Sequence, residues 1–88
     1  MTWHFVYILR SIKDGKFYIG YTRNIERRVS QHNRGENIST SKRRPFELIY
    51  FEAHRSKFDT LRRERYFKTN KGKTTLKYIL REDLSIAK

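Results

Sequence analysis

The chain is expected to fold as one α+β domain spanning residues 1–88, and three observations carry that expectation. Two short apolar segments flank Asp14-Gly15, a pair that favours a tight hairpin turn. A third apolar run, Phe46 to Glu52, separates two stretches with helical periodicity. A hydrophobic fraction of 36% in 88 residues supplies one modest core and leaves no room for a second. Two strands, a helix, a strand and then helices make an α+β order.

The first segment, Trp3 to Arg10, carries β-branched and aromatic residues on both parities, as a strand covered on both faces does. With Asp14 and Gly15 as a two-residue turn, Lys13 faces Lys16 and Tyr7 faces Thr22. The second strand, Phe17 to Thr22, then shows Tyr18, Gly20 and Thr22 on the same sheet face as Tyr7, and Phe17, Ile19 and Tyr21 on the other. Asn24 caps a helix on which Ile25, Arg28, Val29 and His32 share a face, and Gly35 stands where a left-handed C-terminal cap is expected. Glu36 to Arg44 is polar and basic and reads as an exposed loop. After the third strand, Ser56 with Asp59 opens a helix from Lys57 to about Lys68. A break near Asn70-Lys71-Gly72 precedes a last helix, Thr74 to Arg81, and a short tail.

The 21 Lys and Arg against 9 Asp and Glu leave a net charge of +12, more than solubility needs and unfavourable to compaction. An anionic partner is implied. A membrane surface and nucleic acid both qualify, but the longest apolar run, Phe5 to Leu9, is far too short to span a bilayer. Neutralising roughly five phosphates would make duplex affinity fall by about four to five orders of magnitude per tenfold rise in salt. The opening Met1-Thr2-Trp3-His4 lacks a basic region before a long apolar segment, so a cytoplasmic location is expected. The absence of cysteine excludes disulfides, cysteine nucleophiles and cysteine-ligated metal centres. His4, His32 and His54 are not spaced as a helical metal pair.

Several polar residues sit where the periodicity calls for apolar ones. Glu64 lies between Leu61 and Phe67 on the stripe that should face the sheet; it either pairs with Lys68 at i,i+4 or holds a divalent ion. Arg28 on the inward side of its helix either snorkels to water or binds a planar anion such as phosphate. His32, one turn later, is a proton carrier or a satisfied half-buried histidine. Tyr7 and Tyr18 are core phenols with their hydroxyls at the edge, or partners of that charged set. Taken jointly, Tyr7, Tyr18, Arg28, His32 and Glu64 match the needs of phosphodiester cleavage. Lys42, Arg43, Arg44, Arg62, Arg63, Lys71, Lys73 and Lys77 are the candidate phosphate contacts, with Tyr21, Phe51 or Tyr66 available for stacking.

At these residues the sequence resembles the GIY-YIG nuclease domain shared by homing endonucleases, restriction enzymes and the excision-repair excinuclease C subunit. Phe5-Val6-Tyr7 stands in the place of the first tripeptide and Tyr18-Ile19-Gly20 reproduces the second. The family's helix arginine, its histidine and its metal-binding glutamate fall on Arg28, His32 and Glu64. The resemblance runs from Phe5 to about Leu80 and is nearest to small stand-alone members. It implies a three-stranded antiparallel sheet flanked by helices, and a metal-dependent endonuclease using one Mg²⁺ or Mn²⁺ ion on nucleic acid, with DNA favoured over RNA and a role in DNA repair within reach. Glu64 would hold the metal, Tyr18 would serve as general base, Arg28 would bind the phosphate, Tyr7 would position water or phosphate, and His32 would hydrogen-bond Tyr18 or relay its proton. Phe5 replaces the first glycine, and Tyr21 stands where several relatives carry lysine. A nucleic-acid-binding module that keeps the fold without turnover is the alternative, and a partner protein that supplies specificity is left open.

Overall fold

In the computed structural model, which describes residues 2–86, a three-stranded antiparallel sheet is packed between helices. The strands are β1 (His4–Ser11), β2 (Phe17–Thr22) and β3 (Phe46–His54), and the helices are α1 (Ile25–Asn33), α2 (Lys57–Phe67), α3 (Asn70–Ile79) and α4 (Arg81–Ile86). β1 is the central strand, with β2 and β3 on either side of it. That place explains its composition: Val6, Tyr7, Ile8 and Leu9 are all fully buried, because both faces of the strand are covered. Among the described residues no helix is long and apolar enough to cross a membrane.

Two apolar layers divide the interior. On one face Val6, Ile8 and Ile19 pack with Phe67, Leu76 and Leu80 from the C-terminal helices. On the other, Tyr7, Leu9 and Phe46 pack with Tyr18 and Val29 of α1. α1 begins as expected, with Asn24 Oδ1 accepting the Arg27 N–H at 3.0 Å. It ends with the Gly35 and Glu36 amides donating back to the His32 and Gln31 carbonyls, Gly35 being at φ +78°. β3 carries an extra residue opposite β1: Ile8 faces Tyr50 and Leu9 faces Leu48, so Ile49 bulges.

Three expectations need correction. The hairpin is not a two-residue turn. The Ser11 hydroxyl accepts the Lys13 and Asp14 amides, Ser11 pairs with Lys16, and the loop holds four residues with Gly15 at φ +72°. Tyr7 therefore faces Gly20 rather than Thr22; the slip is by two residues, so each side chain keeps its face. Gly72 does not break the last helix but lies in the first turn of α3, capped by Thr69. Its missing side chain lets α3 approach the end of α2, since a Cβ there would collide with the Tyr66 carbonyl. The stretch from Glu36 to Arg44 is not simply an exposed loop either. It contains a 3₁₀ turn, Ser41–Arg43, and the fully buried Thr40.

Glu52, on the α2 side of β3, accepts both Nε and Nη2 of Arg63 at 2.9 and 3.0 Å and the Tyr50 hydroxyl at 2.8 Å. Burial alone would push this carboxyl up, but Arg63 and Tyr50 outweigh it and hold the pKa below the ordinary 4.5. Glu52→Gln is expected to cost about 1–2 kcal/mol at neutral pH, as one partner of a charged pair is lost. A depressed carboxylate contributes stability above its unfolded pKa and loses it as the pH falls through the folded one. The gap in melting temperature between wild type and Glu52→Gln should therefore narrow below about pH 4.5. A gap that stays constant or widens on acidification would contradict the pairing.

Candidate active site

The site is built outward from the missing side chain of Gly20. Tyr7 lies directly across the β1–β2 ladder from it, and an added Cβ on Gly20 would stand 2.5 Å from the Tyr7 hydroxyl. The phenol ring lies across β2 at a place where only glycine leaves room. α1 meets it there: the Tyr7 hydroxyl is 2.9 Å from His32 Nε2, and His32 Nδ1 is 2.8 Å from the Thr40 hydroxyl. Tyr7, His32 and Thr40 are all fully buried. Tyr18, half-buried on the same sheet face, sets its ring edge-on against His32 at 4.8 Å between centroids.

Arg28, one helical turn before His32, donates to the Gln31 side chain at 3.1 Å and to the Tyr21 carbonyl at 3.4 Å. Its charge reaches both buried neighbours. Burial pushes the Tyr7 phenol up to about 12, the Tyr18 phenol adds to the rise, Arg28 opposes it, and the Glu64 carboxylate raises it further. Burial first, and then Arg28, lower the pKa of His32, so the imidazole is neutral at physiological pH. Beside Arg28 a shallow groove is walled by Gln31, Glu36, Asn37 and Ile38.

Glu64 is mostly buried, its side chain 17% exposed, and its Oε2 lies 3.3 Å from the Lys68 ammonium. Of the two alternatives for this side chain, the pair with Lys68 is formed. Among the described residues no three His, Asp or Glu side chains cluster as a metal cage. A lone carboxylate suits Mg²⁺ or Mn²⁺, which typically takes one or two carboxylates and fills its remaining positions with water and substrate phosphate. Glu64 is the carboxylate in this set that could hold one such ion, in competition with Lys68.

Two expectations about the site are revised. His32 bonds Tyr7 and only stacks on Tyr18, because it is Tyr7 whose ring is threaded over Gly20 toward α1. The basic set also divides. Arg63 is tied to Glu52 and stacked 4.3 Å from the Phe67 ring centre. Arg43 is bound to Asp14 at 3.0 Å and to the Lys16 and Phe17 carbonyls, where it pins the hairpin loop. Arg44 donates to the Ser41 carbonyl at 2.8 Å, and Arg62 pairs with Asp59 at 2.9 Å while remaining exposed. Lys42, Lys71, Lys73 and Lys77 are exposed. Lys73 and Lys77 line a groove with Lys16, Phe17 and Arg43 between the hairpin loop and α3. Lys16 escaped the sequence reading although it borders the turn. Thr40 escaped it because an aperiodic loop gives no signal of which residue turns inward.

The five positions fall inside one match: the model of the GIY-YIG catalytic domain aligns with residues 3–78. The chain belongs to the GIY-YIG family. Among its GIY-YIG relatives is a UPF0213 protein of Staphylococcus haemolyticus, 42% identical over 80 residues that cover 90% of this chain and 96% of the relative. A UPF0213 protein of Staphylococcus saprophyticus is 40% identical over 77 residues, 86% and 93% of the respective chains. The solution NMR structure of a UPF0213 protein from Bacillus halodurans has a TM-score of 0.55 at 36% identity and covers 88% of this chain and 84% of its own. The GIY-YIG departures have local reasons. Phe5, in place of the first glycine, packs edge-on against Phe51 of β3 at 5.9 Å. Tyr21, in place of lysine, bonds His4 at 2.7 Å, and the Lys57 ammonium from α2 lies 5.9 Å from its ring centre.

Proposed function

We propose that the protein is an endonuclease that hydrolyses phosphodiester bonds in nucleic acid, with DNA as the favoured substrate and one Mg²⁺ or Mn²⁺ ion as cofactor. The observation that carries this reading is the meeting of Tyr7 and Tyr18 of the hairpin with His32 of α1, one helical turn from Arg28, inside the matched catalytic domain. When bound, the metal supplies Lewis acidity to the phosphate and stabilises the departing oxygen. Glu64 holds it. Arg28 binds the phosphate oxygens and is best placed to do so as negative charge builds in the transition state. Tyr18, half-buried and so open to solvent where Tyr7 is sealed, takes a proton from the attacking water. Tyr7 remains a neutral phenol, held by His32. Lys42, Lys71, Lys73 and Lys77, with exposed Arg62, steer and hold the phosphate backbone.

The Glu64–Lys68 pair favours a second reading, a nucleic-acid-binding module without turnover, since it occupies one oxygen of the Glu64 carboxylate. Labelled single-stranded, duplex and branched DNA, and RNA, incubated with the protein in Mg²⁺, Mn²⁺ or chelator, separate the two. Cleavage that appears with either ion and vanishes in chelator is the expected result. Binding of these substrates with no cutting of any would give the binding module the field.

A further inference from the structure

We propose that Thr40 is a positioning residue for the site: its hydroxyl fixes the tautomer of His32 and thereby the direction in which the Tyr7 proton points. The proposal rests on the nuclease reading for its consequence, and on proton accounting for its substance. Three buried groups form a chain from Tyr7 through His32 to Thr40, at 2.9 and 2.8 Å. The Thr40 hydroxyl also reaches the Asn37 carbonyl at 3.4 Å. A neutral imidazole carries one N–H, so the chain has two possible directions.

In the first, Tyr7 donates to His32 Nε2, His32 Nδ1–H donates to Thr40, and Thr40 donates to the Asn37 carbonyl. Every proton then has an acceptor. In the second, Thr40 donates to Nδ1 and Nε2–H donates to Tyr7. The Tyr7 proton would then need another acceptor, and among the described residues its hydroxyl finds one acceptor, His32 Nε2. Arg28, which also acts on this hydroxyl, is only a donor, and among the described residues no hydrogen bond joins the hydroxyl to Glu64 or Tyr18. A buried hydroxyl proton left without a partner costs about 1–3 kcal/mol, which decides the direction. The first arrangement leaves the lone pairs of the Tyr7 oxygen free to accept from Arg28. Thr40 itself is held by its own turn, where its amide donates to the Asn37 carbonyl at 3.1 Å and the Asn37 side chain accepts the Ser39 amide and hydroxyl. The loop after α1 therefore takes part in the site as the anchor of its proton chain.

Side-chain ¹⁵N–¹H correlations of His32, recorded on the free protein at neutral pH, distinguish Nδ1–H from Nε2–H. Wild type should carry its proton on Nδ1. Thr40→Val keeps the shape but removes the acceptor, and should move the proton wholly or partly to Nε2; Thr40→Ser should restore the wild-type pattern. On cleavage, Thr40→Val should lower kcat about tenfold, the size of one lost hydrogen bond, with KM within about twofold, and Thr40→Ser should recover it. A wild-type spectrum with the proton on Nε2, a Thr40→Val spectrum identical to wild type, or a Thr40→Ser protein as impaired as Thr40→Val would overturn the proposal. The spectra need no substrate, so a wild-type protein that cuts nothing would sink the nuclease reading separately, while the tautomer result would still decide the role of Thr40.

Discussion

Glu64→Gln is expected to reduce cleavage by roughly a thousandfold or more while nucleic-acid affinity stays within about twofold, because it removes the metal and little else. The exchange keeps the shape of the side chain and deletes the charge that a hard divalent ion requires. Its structural cost is small. The Glu64–Lys68 contact is an i,i+4 helix pair, worth about 0.2–0.5 kcal/mol, so the melting temperature should fall by no more than about 4 °C. Binding is carried by the lysines and by Arg28, which the substitution leaves in place. Cleavage at the wild-type rate by Glu64→Gln would show that Glu64 does not hold the ion.

Gly20→Ala should damage both the fold and the site. A Cβ at position 20 would stand 2.5 Å from the Tyr7 hydroxyl and 2.6 Å from the ring carbon bearing it, far inside contact distance. The ring cannot swing aside freely, since Tyr7 is fully buried and bonded to His32. Overpacking of this kind costs about 1–3 kcal/mol, or a fall in melting temperature of roughly 5–20 °C for a domain of this size. Displacing Tyr7 also breaks its bond to His32 within the site, so the protein that does fold should cut at least about tenfold more slowly. Thermal denaturation and initial-rate measurements on the same preparation check both effects. Unchanged stability would mean that the Tyr7 ring has room that the packing around Gly20 does not show.

The same glycine illustrates which parts of the molecule the sequence made legible. Tyr18-Ile19-Gly20, the cap at Asn24 and the 3–4 spacing of Arg28 and His32 are local patterns, and the elements that carry them form where expected. What periodicity could not reveal is which partner each side chain takes. Ser11 draws two loop amides to its hydroxyl and lengthens the hairpin loop, so that Tyr7 comes to face Gly20. Gly72 looks like a helix breaker until α2 is seen to press against it. Arg43 and Arg63 look like free cations until Asp14 and Glu52 claim them. Thr40 carries no periodicity at all and becomes visible only as the acceptor beyond His32.

On the proposed reading, side chains from β1, β2, α1 and α2 surround one phosphate and one divalent ion. Paramagnetic broadening by Mn²⁺, titrated into the protein with a phosphorothioate oligonucleotide bound, tests it most directly. Line broadening centred on Glu64, Tyr18 and Arg28, and lost in Glu64→Gln, is the result this account predicts. Broadening centred instead on the Glu52–His54 cluster, or spread evenly over the surface, would contradict it.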